Sequence, residues 1–158
     1  MQKKNKDQRL LQSLELENEQ TENKRQEKNI LAIDYGKKNC GLAFSPDGIC
    51  IVPIFVVNTD KVEKEIEKIL NTKSIQKVVI GIPYLASGKE NELGNEIRKL
   101  AKTIKTKKNI EIAFVNERFS SKNVLLQNKN KKQRRDDLAA MQILKFYLSR
   151  KDNKLKLE

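Results

Sequence analysis

The sequence predicts one α/β domain built on a mixed five-stranded sheet with helices on both faces. Two observations support this fold class: apolar segments follow one another in the order βββαβαβ, and an amphipathic helix closes the series. Consecutive strands joined by short turns indicate antiparallel pairing, whereas a helix between two strands indicates parallel pairing. The 158 residues suffice for one such domain with a sizeable core once the polar ends are set aside.

The first three strands are short apolar runs separated by turns. They cover residues 30–33, 40–45 and 49–57, with turns at Asp34-Tyr35-Gly36 and Pro46-Asp47-Gly48. Pro53 lies within the third run and predicts a bulge or an edge position, because proline cannot donate a backbone hydrogen bond. Cys40 and Cys50 fall in the second and third runs, where buried free thiols are expected.

Helices and two further strands follow. Apolar residues at helical spacing predict helices over residues 61–70 and 93–104, and apolar runs predict strands over residues 77–82 and 110–115. A short helical stretch near residues 121–127 precedes a basic loop, and a closing helix runs from Asp136 to about Leu148. The apolar face of this closing helix consists of Ala140, Ile143, Leu144, Tyr147 and Leu148.

Polar segments flank these elements. Residues 1–28 form an extension of nearly balanced charge with few apolar groups, which predicts a disordered segment or a frayed helix. Residues 151–158 form a charged tail. The predicted domain therefore spans residues 29–150.

Composition restricts the classes of function. Lys and Arg number 33 against 21 Asp and Glu, giving a net charge of +12 and a pI near 9.7, which favours a polyanionic partner. The absence of histidine excludes Ser-His-Asp and Cys-His catalysis and most zinc sites. Two cysteines and no apolar run approaching roughly 18 residues predict a reduced, cytoplasmic protein without a membrane span.

Three acidic residues occupy positions where a site could form. Asp34 ends the first strand, Glu117 follows the strand at 110–115, and Asp136 opens the closing helix. Active-site groups in open α/β sheets gather beyond the carboxyl ends of strands, so these carboxylates can converge. Taken singly, Asp34 is better explained as a turn residue and Asp136 as a helix N-cap than as catalytic groups.

Five motifs in order give these carboxylates a context. They are Asp34-Tyr35-Gly36, Gly41-Leu42-Ala43, Gly81-Ile82-Pro83, Asn116-Glu117-Arg118-Phe119-Ser120 and Asp136-Asp137-Leu138-Ala139-Ala140. With this set the chain resembles the YqgF-type family, also called Holliday-junction-resolvase-like proteins or candidate pre-16S rRNA nucleases. The resemblance covers roughly residues 29–148. It implies an RNase H-like fold and a bacterial cytoplasmic nuclease for ribosome biogenesis.

The resemblance also implies a metal site formed by Asp34, Glu117 and Asp136. A site of carboxylates alone suits Mg²⁺ or Mn²⁺, and metal ions of this kind can activate water and neutralise charge during phosphodiester hydrolysis. Asp137 directly follows Asp136, and the alignment register favours Asp136 as the ligand. The family usually has aspartate at position 116, arginine at 39 and aspartate at 46, where this chain has Asn116, Asn39 and Pro46.

Basic residues near these carboxylates predict contacts with a nucleic-acid backbone. The candidates are Lys37, Lys38, Arg118, Lys131, Lys132, Arg134 and Arg135. The last four belong to a run without acidic residues, which a solvated loop would also explain. Aromatic residues are sparse, so structured RNA or junction DNA is favoured over single strands.

Three alternatives to an rRNA nuclease remain at this point. They are a resolvase of four-way DNA junctions, a nucleic-acid-binding module without catalysis, and an ATP-binding domain like those of sugar kinases and actins. The last needs further phosphate and adenosine loops, for which the chain is too short. Oligomeric state, monomer or homodimer, is left open by the sequence.

Overall fold

The computed structural model describes residues 27–83, 87–89, 91–116 and 135–150, together with residue 12. For residues 135–137 it describes the backbone only. The strands are β1 (Ile30–Tyr35), β2 (Asn39–Ser45), β3 (Val52–Asn58), β4 (Lys77–Ile82) and β5 (Glu111–Asn116). The helices are α1 (Val62–Thr72), α2 (Glu92–Lys107) and α3 (Arg135–Ser149), and a 3-10 turn at Thr59–Lys61 precedes α1. The predicted short helix near residues 121–127 lies outside the described residues.

The five strands form one mixed sheet in the order β3-β2-β1-β4-β5. β1 pairs antiparallel with β2, and β2 pairs antiparallel with β3. β4 pairs in parallel with β1 on one side and with β5 on the other. Helix α1 precedes β4, and helix α2 connects β4 to β5. The predicted α/β class, with its antiparallel meander followed by parallel crossovers, is confirmed.

Helices cover both faces of the sheet. On one face, α1 and α2 pack with Leu31, Ile33 and Ile80 in a cluster of buried side chains. On the other face, Ala140, Ile143 and Leu144 of α3 pack against residues of β1, β2, β4 and β5. The central strands β1 and β4 are therefore buried on both sides, which explains their continuous apolar sequences. Within the described residues, no helix is long and apolar enough to cross a bilayer.

The third strand begins three residues later than predicted. The carboxylate of Asp47 accepts hydrogen bonds from the backbone N–H groups of Ile49 and Cys50 at 2.9 and 2.8 Å. Because these two N–H groups are hydrogen-bonded within a turn, they do not pair with β2. Cys50 is consequently exposed, which corrects the expectation of a buried thiol, whereas Cys40 is buried as predicted. Pro53 lies on the edge strand, beside a break in the β2–β3 register at Leu42/Ala43, so it has both predicted properties.

A buried lysine joins the beginning of the described chain to the sheet and to α3. Lys77 is 3% exposed, and its ammonium group bonds the carboxylate of Glu27 and, at 2.9 Å, the hydroxyl oxygen of Tyr147. Glu111 completes an ion pair with Lys77 at 3.0 Å, and Tyr147 donates to Glu27 at 2.7 Å. We call Glu27, Lys77, Glu111 and Tyr147 the lysine cluster. Glu27 was assigned to the polar extension from the sequence, but in the structure it belongs to this cluster.

The lysine cluster predicts a sharp boundary for N-terminal truncation. Deleting residues 1–26 is expected to leave the free energy of unfolding nearly unchanged, because that segment has few apolar groups that could join a core. Deleting residues 1–28 removes Glu27 as well and is expected to cost about 1–2 kcal/mol, since Lys77 loses a charged partner. Urea unfolding of the two proteins measures the difference. Equal stability of the two truncated proteins would contradict a role for Glu27.

Candidate functional site

Asp34 lies at the edge of the sheet where β1, β4 and β5 end. Because these three strands are parallel, their last residues share one edge, which we call the carboxyl edge. Asp34 is the penultimate residue of β1, and its neighbour Ile33 is paired with Ile80 of β4. Asp34 therefore lies near the end of the first strand, as predicted, but β1 continues through Tyr35, which the sequence assigned to a turn.

Strand alternation places Asp34 on the α3 face of the sheet. Ala32 packs in the cluster with α3, and side chains two residues apart on a strand point to the same face. Ile33 and Tyr35 pack on the opposite face, with α1 and α2. Asp34 is half-buried at the carboxyl edge.

Helix α3 begins near the same edge and runs away from it. Near its end, Tyr147 bonds Lys77, the first residue of β4, so α3 is antiparallel to β1 and β4. Asp136 lies eleven residues before Tyr147, which corresponds to roughly 16 Å along a helix. From Ile30, which pairs with Lys77, to Asp34 the strand rises roughly 13 Å. The backbone of α3 therefore begins near the level of Asp34 on the same face.

A tight hairpin adjoins Asp34 and is held by Thr59. The Thr59 hydroxyl donates to the carbonyl of Gly36 at 2.7 Å, and its backbone N–H donates to the carbonyl of Lys38 at 2.9 Å. A Cβ atom at Gly36 would collide with the carbonyl oxygen of Asn39, so glycine is required there. Lys37 and Lys38 are both exposed on this hairpin. Sequence reasoning missed Thr59, whose only signal was its position after the third strand.

A second group of polar side chains lies on the other face of β1. Tyr35 lines a cavity of about 330 Å³ with Glu63, Glu96 and Lys99, and its hydroxyl donates to Glu96 at 3.4 Å. Burial, followed by the charge of Glu96, raises the pKa of Tyr35 to about 12. Tyr35 is therefore a neutral hydrogen-bond donor over the physiological range. It supports the α2 side of the sheet and does not face the side chain of Asp34.

The remaining predicted site residues fall mostly outside the described chain. Glu117, Arg118, Lys131, Lys132 and Arg134 lie outside the described residues, and Arg135 and Asp136 have a described backbone within α3. Asn116, the last residue of β5, is paired with Ile82 at the carboxyl edge. In the part of the chain that the structure describes, no three acidic or thiol side chains are grouped closely enough to hold a metal ion.

Comparisons with known proteins agree on one family. A family model described as "RuvX: Holliday junction resolvase" matches residues 28–150. A protein of Sulfurihydrogenibium sp. is 38% identical over 130 residues, covering 77% of this chain and 90% of that protein. A protein of Chlamydia pneumoniae is 33% identical over 144 residues, covering 82% and 95%. Both relatives are named as candidate pre-16S rRNA nucleases.

A solved structure supports the fold independently. The Thermus thermophilus RuvC protein, determined with a Holliday junction substrate, superposes with a TM-score of 0.53 at 13% sequence identity. The superposition covers 80% of this chain and 98% of that chain. At this identity the similarity concerns the fold alone, and it confirms the predicted RNase H-like architecture.

Proposed function

The chain belongs to the RuvX family, and from that premise we propose that it is a nuclease that hydrolyses phosphodiester bonds at the 5′ end of precursor 16S rRNA. The family places it among nucleic-acid hydrolases, and five of its curated relatives, 30–38% identical to it, carry rRNA-nuclease names. The observation that carries the proposal is the position of Asp34. Its carboxylate lies at the carboxyl edge, on the face where α3 begins.

The donor chemistry at this edge fits a hard divalent cation. Asp34 offers carboxylate oxygens, and the chain contains no histidine that would favour zinc. We assign Asp34, Glu117 and Asp136 as the residues that hold Mg²⁺ or Mn²⁺. The side chain of Val115, near the end of β5, packs on the α3 face. Glu117 comes two residues later in the sequence, which supports its assignment beside Asp34 on that face. A bound divalent ion supplies activation of water and neutralisation of charge on the scissile phosphate.

The chain's own residues bind and orient the substrate. Lys37 and Lys38, exposed on a hairpin that Thr59 holds in place, contact phosphates next to Asp34. Arg118 follows Glu117 directly and is assigned to the phosphate next to the cleaved bond. Lys131, Lys132, Arg134 and Arg135 precede Asp136 and add contacts without sequence preference. A cytoplasmic location fits this substrate.

Cleavage of four-way DNA junctions is the second candidate. It is favoured by the description of the matching family model as a Holliday junction resolvase. The same carboxylates and cation would serve either reaction, because both substrates present a phosphodiester in a backbone of similar charge. Substrate geometry alone distinguishes the two functions.

A direct comparison of the two substrates tests the proposal. Pure protein with Mg²⁺ is given a precursor 16S rRNA 5′ segment or a four-way DNA junction, and product formation is followed over time. We expect cleavage of the RNA at a rate well above that of the junction, and no product with chelator. Faster cleavage of the junction would support the resolvase function instead. No cleavage of either substrate would indicate a binding module.

A further inference from the structure

Helix α2 carries both acidic and basic residues on the flank toward α1, but basic residues on the flank toward β5. Toward α1 it presents Glu96, which accepts from Tyr35, and Lys107, which pairs with Glu67 of α1 at 3.1 Å. Toward β5 it presents Arg98, whose guanidinium lies 4.9 Å from the ring centre of Phe114. Lys102 and Lys105 follow Arg98 by four and seven residues, so helical spacing places them on the same flank.

The β5 flank is basic without interruption. Arg98, Lys102 and Lys105 are all exposed, and no acidic residue occurs between Glu96 and Glu111. Glu111 belongs to the lysine cluster, where it pairs with Lys77 at 3.0 Å. Lys102 and Lys105 have no ion-pair partner within the described residues. We call Arg98, Lys102 and Lys105 the α2 basic stripe.

Helix α1 shows that this pattern is not general to the surface. Its sequence alternates Glu63, Glu65 and Glu67 with Lys64 and Lys68, and Lys68 pairs with Glu65 at 2.8 Å. The basic residues of α1 are thus balanced within the helix itself. The stripe on α2 concentrates positive charge on one side of the domain, beside the edge strand β5.

The geometry of the stripe matches the backbone of a duplex. Arg98 and Lys105 are separated by roughly 10 Å along the helix axis. One strand of a duplex presents roughly three phosphates over that length. Phe114 is 8% exposed beneath Arg98 and offers no free ring for base stacking, so the stripe suits phosphates rather than splayed bases. Because α2 follows β4, it begins near the carboxyl edge. From Arg98 to Lys105 the stripe therefore runs away from that edge.

We propose that the α2 basic stripe binds the phosphate backbone of an RNA duplex adjoining the cleaved site. This inference rests on the proposed function for the identity of the polyanion. The stripe extends the binding surface along the β5 side of the domain. Because α2 packs on the face of the sheet opposite Asp34, the helical arm that the stripe holds lies around the β5 edge from the segment that is cut at the carboxyl edge.

Salt-dependent binding tests the stripe separately from cleavage. The probe is a blunt RNA duplex of two helical turns, measured by anisotropy over a KCl series without divalent ions. The variant is Arg98→Gln/Lys102→Gln/Lys105→Gln in the full chain. The matched control is Lys61→Gln/Lys64→Gln/Lys68→Gln, which removes the same charge from exposed residues on and before α1. Arg98→Lys tests whether charge alone suffices.

Loss of the stripe is expected to flatten the salt dependence. The slope of log affinity against log salt should fall by about 2–3 units in the stripe variant, since each lost phosphate contact accounts for about 0.9 unit. The control should change it by less than about 1 unit, and Arg98→Lys should keep the wild-type slope. An unchanged slope in the stripe variant, an equal fall in the control, or no duplex binding by the wild type would overturn the proposal.

The binding and cleavage results distinguish the two proposals. Suppose that the protein cleaves the rRNA segment with magnesium, but the stripe variant binds the duplex as the wild type does. That result overturns the proposed role of the stripe alone. A stripe-dependent slope in a protein that cleaves neither substrate overturns the proposed function alone. Circular dichroism of each variant verifies folding, and a stripe variant that loses helix content is replaced by Lys102→Gln/Lys105→Gln, with an expected fall of about 2 units.

Discussion

Replacement of Asp34 with asparagine is expected to abolish Mg²⁺-dependent cleavage while the fold stays intact. The amide has nearly the shape of the carboxylate but lacks the charge that holds a divalent cation. We expect the rate to fall on the order of a thousandfold, equivalent to about 4 kcal/mol of transition-state stabilisation. Single-turnover cleavage of the rRNA segment measures the rate, and thermal unfolding verifies the fold.

The control for Asp34→Asn is Asp60→Asn. Asp60 is an exposed carboxylate in the 3-10 turn before α1, and it undergoes the same chemical change but is not among the proposed ligands. Its variant should retain a rate within about twofold of the wild type, since a small surface change costs little. A near-normal rate for pure Asp34→Asn protein would refute the assigned site, whichever substrate is cleaved.

The sequence predicted the architecture because its apolar pattern matches the burial of each strand. β4, over Lys77–Ile82, is buried at every position, and its boundaries agree with the predicted ones. The same holds for the buried face of α2, where Ile97, Leu100 and Ile104 were predicted from helical spacing and lie in the core. Core periodicity is a local property of the chain, so it can be read without knowing which strands are neighbours.

The features that sequence reasoning missed depend on contacts between distant residues. Thr59 supports the hairpin next to Asp34 from 23 residues away, and Glu27 reaches Lys77 from 50 residues away. Neither side chain differs in type from an ordinary surface residue. Of the assigned site, the structure places Asp34 at the carboxyl edge, whereas the metal-binding roles of Asp34, Glu117 and Asp136 stay proposals.

Lys77→Ala is expected to produce the largest loss of stability among single substitutions of charged residues. The change leaves Glu27 and the Tyr147 hydroxyl without their shared cation and opens a cavity below α3. We expect the free energy of unfolding to fall by about 2–3 kcal/mol, less than for a fully buried pair because the side chain of Glu27 is 30% exposed. Urea unfolding measures it, with exposed Lys64→Ala as a control that should stay within about 0.5 kcal/mol.

The same variant should alter stability at alkaline pH. Burial alone would lower the pKa of Lys77, but hydrogen bonds with Glu27, Tyr147 and Glu111 outweigh it and raise the pKa above its ordinary value. Burial, together with Glu27, raises the pKa of Tyr147 to about 12 although Lys77 opposes the shift.

Both groups therefore keep their protons in the folded protein at a pH where the unfolded chain releases them. The stability that Lys77 contributes is fully present below its unfolded pKa of about 10.4 and is lost as pH rises toward its higher folded value. Tyr147 adds a loss of the same sign between about pH 10 and 12. Unfolding free energies measured across this window should fall more steeply for the wild type than for Lys77→Ala, which keeps only the tyrosine contribution. Parallel curves would mean that Lys77 does not retain its proton through the lysine cluster.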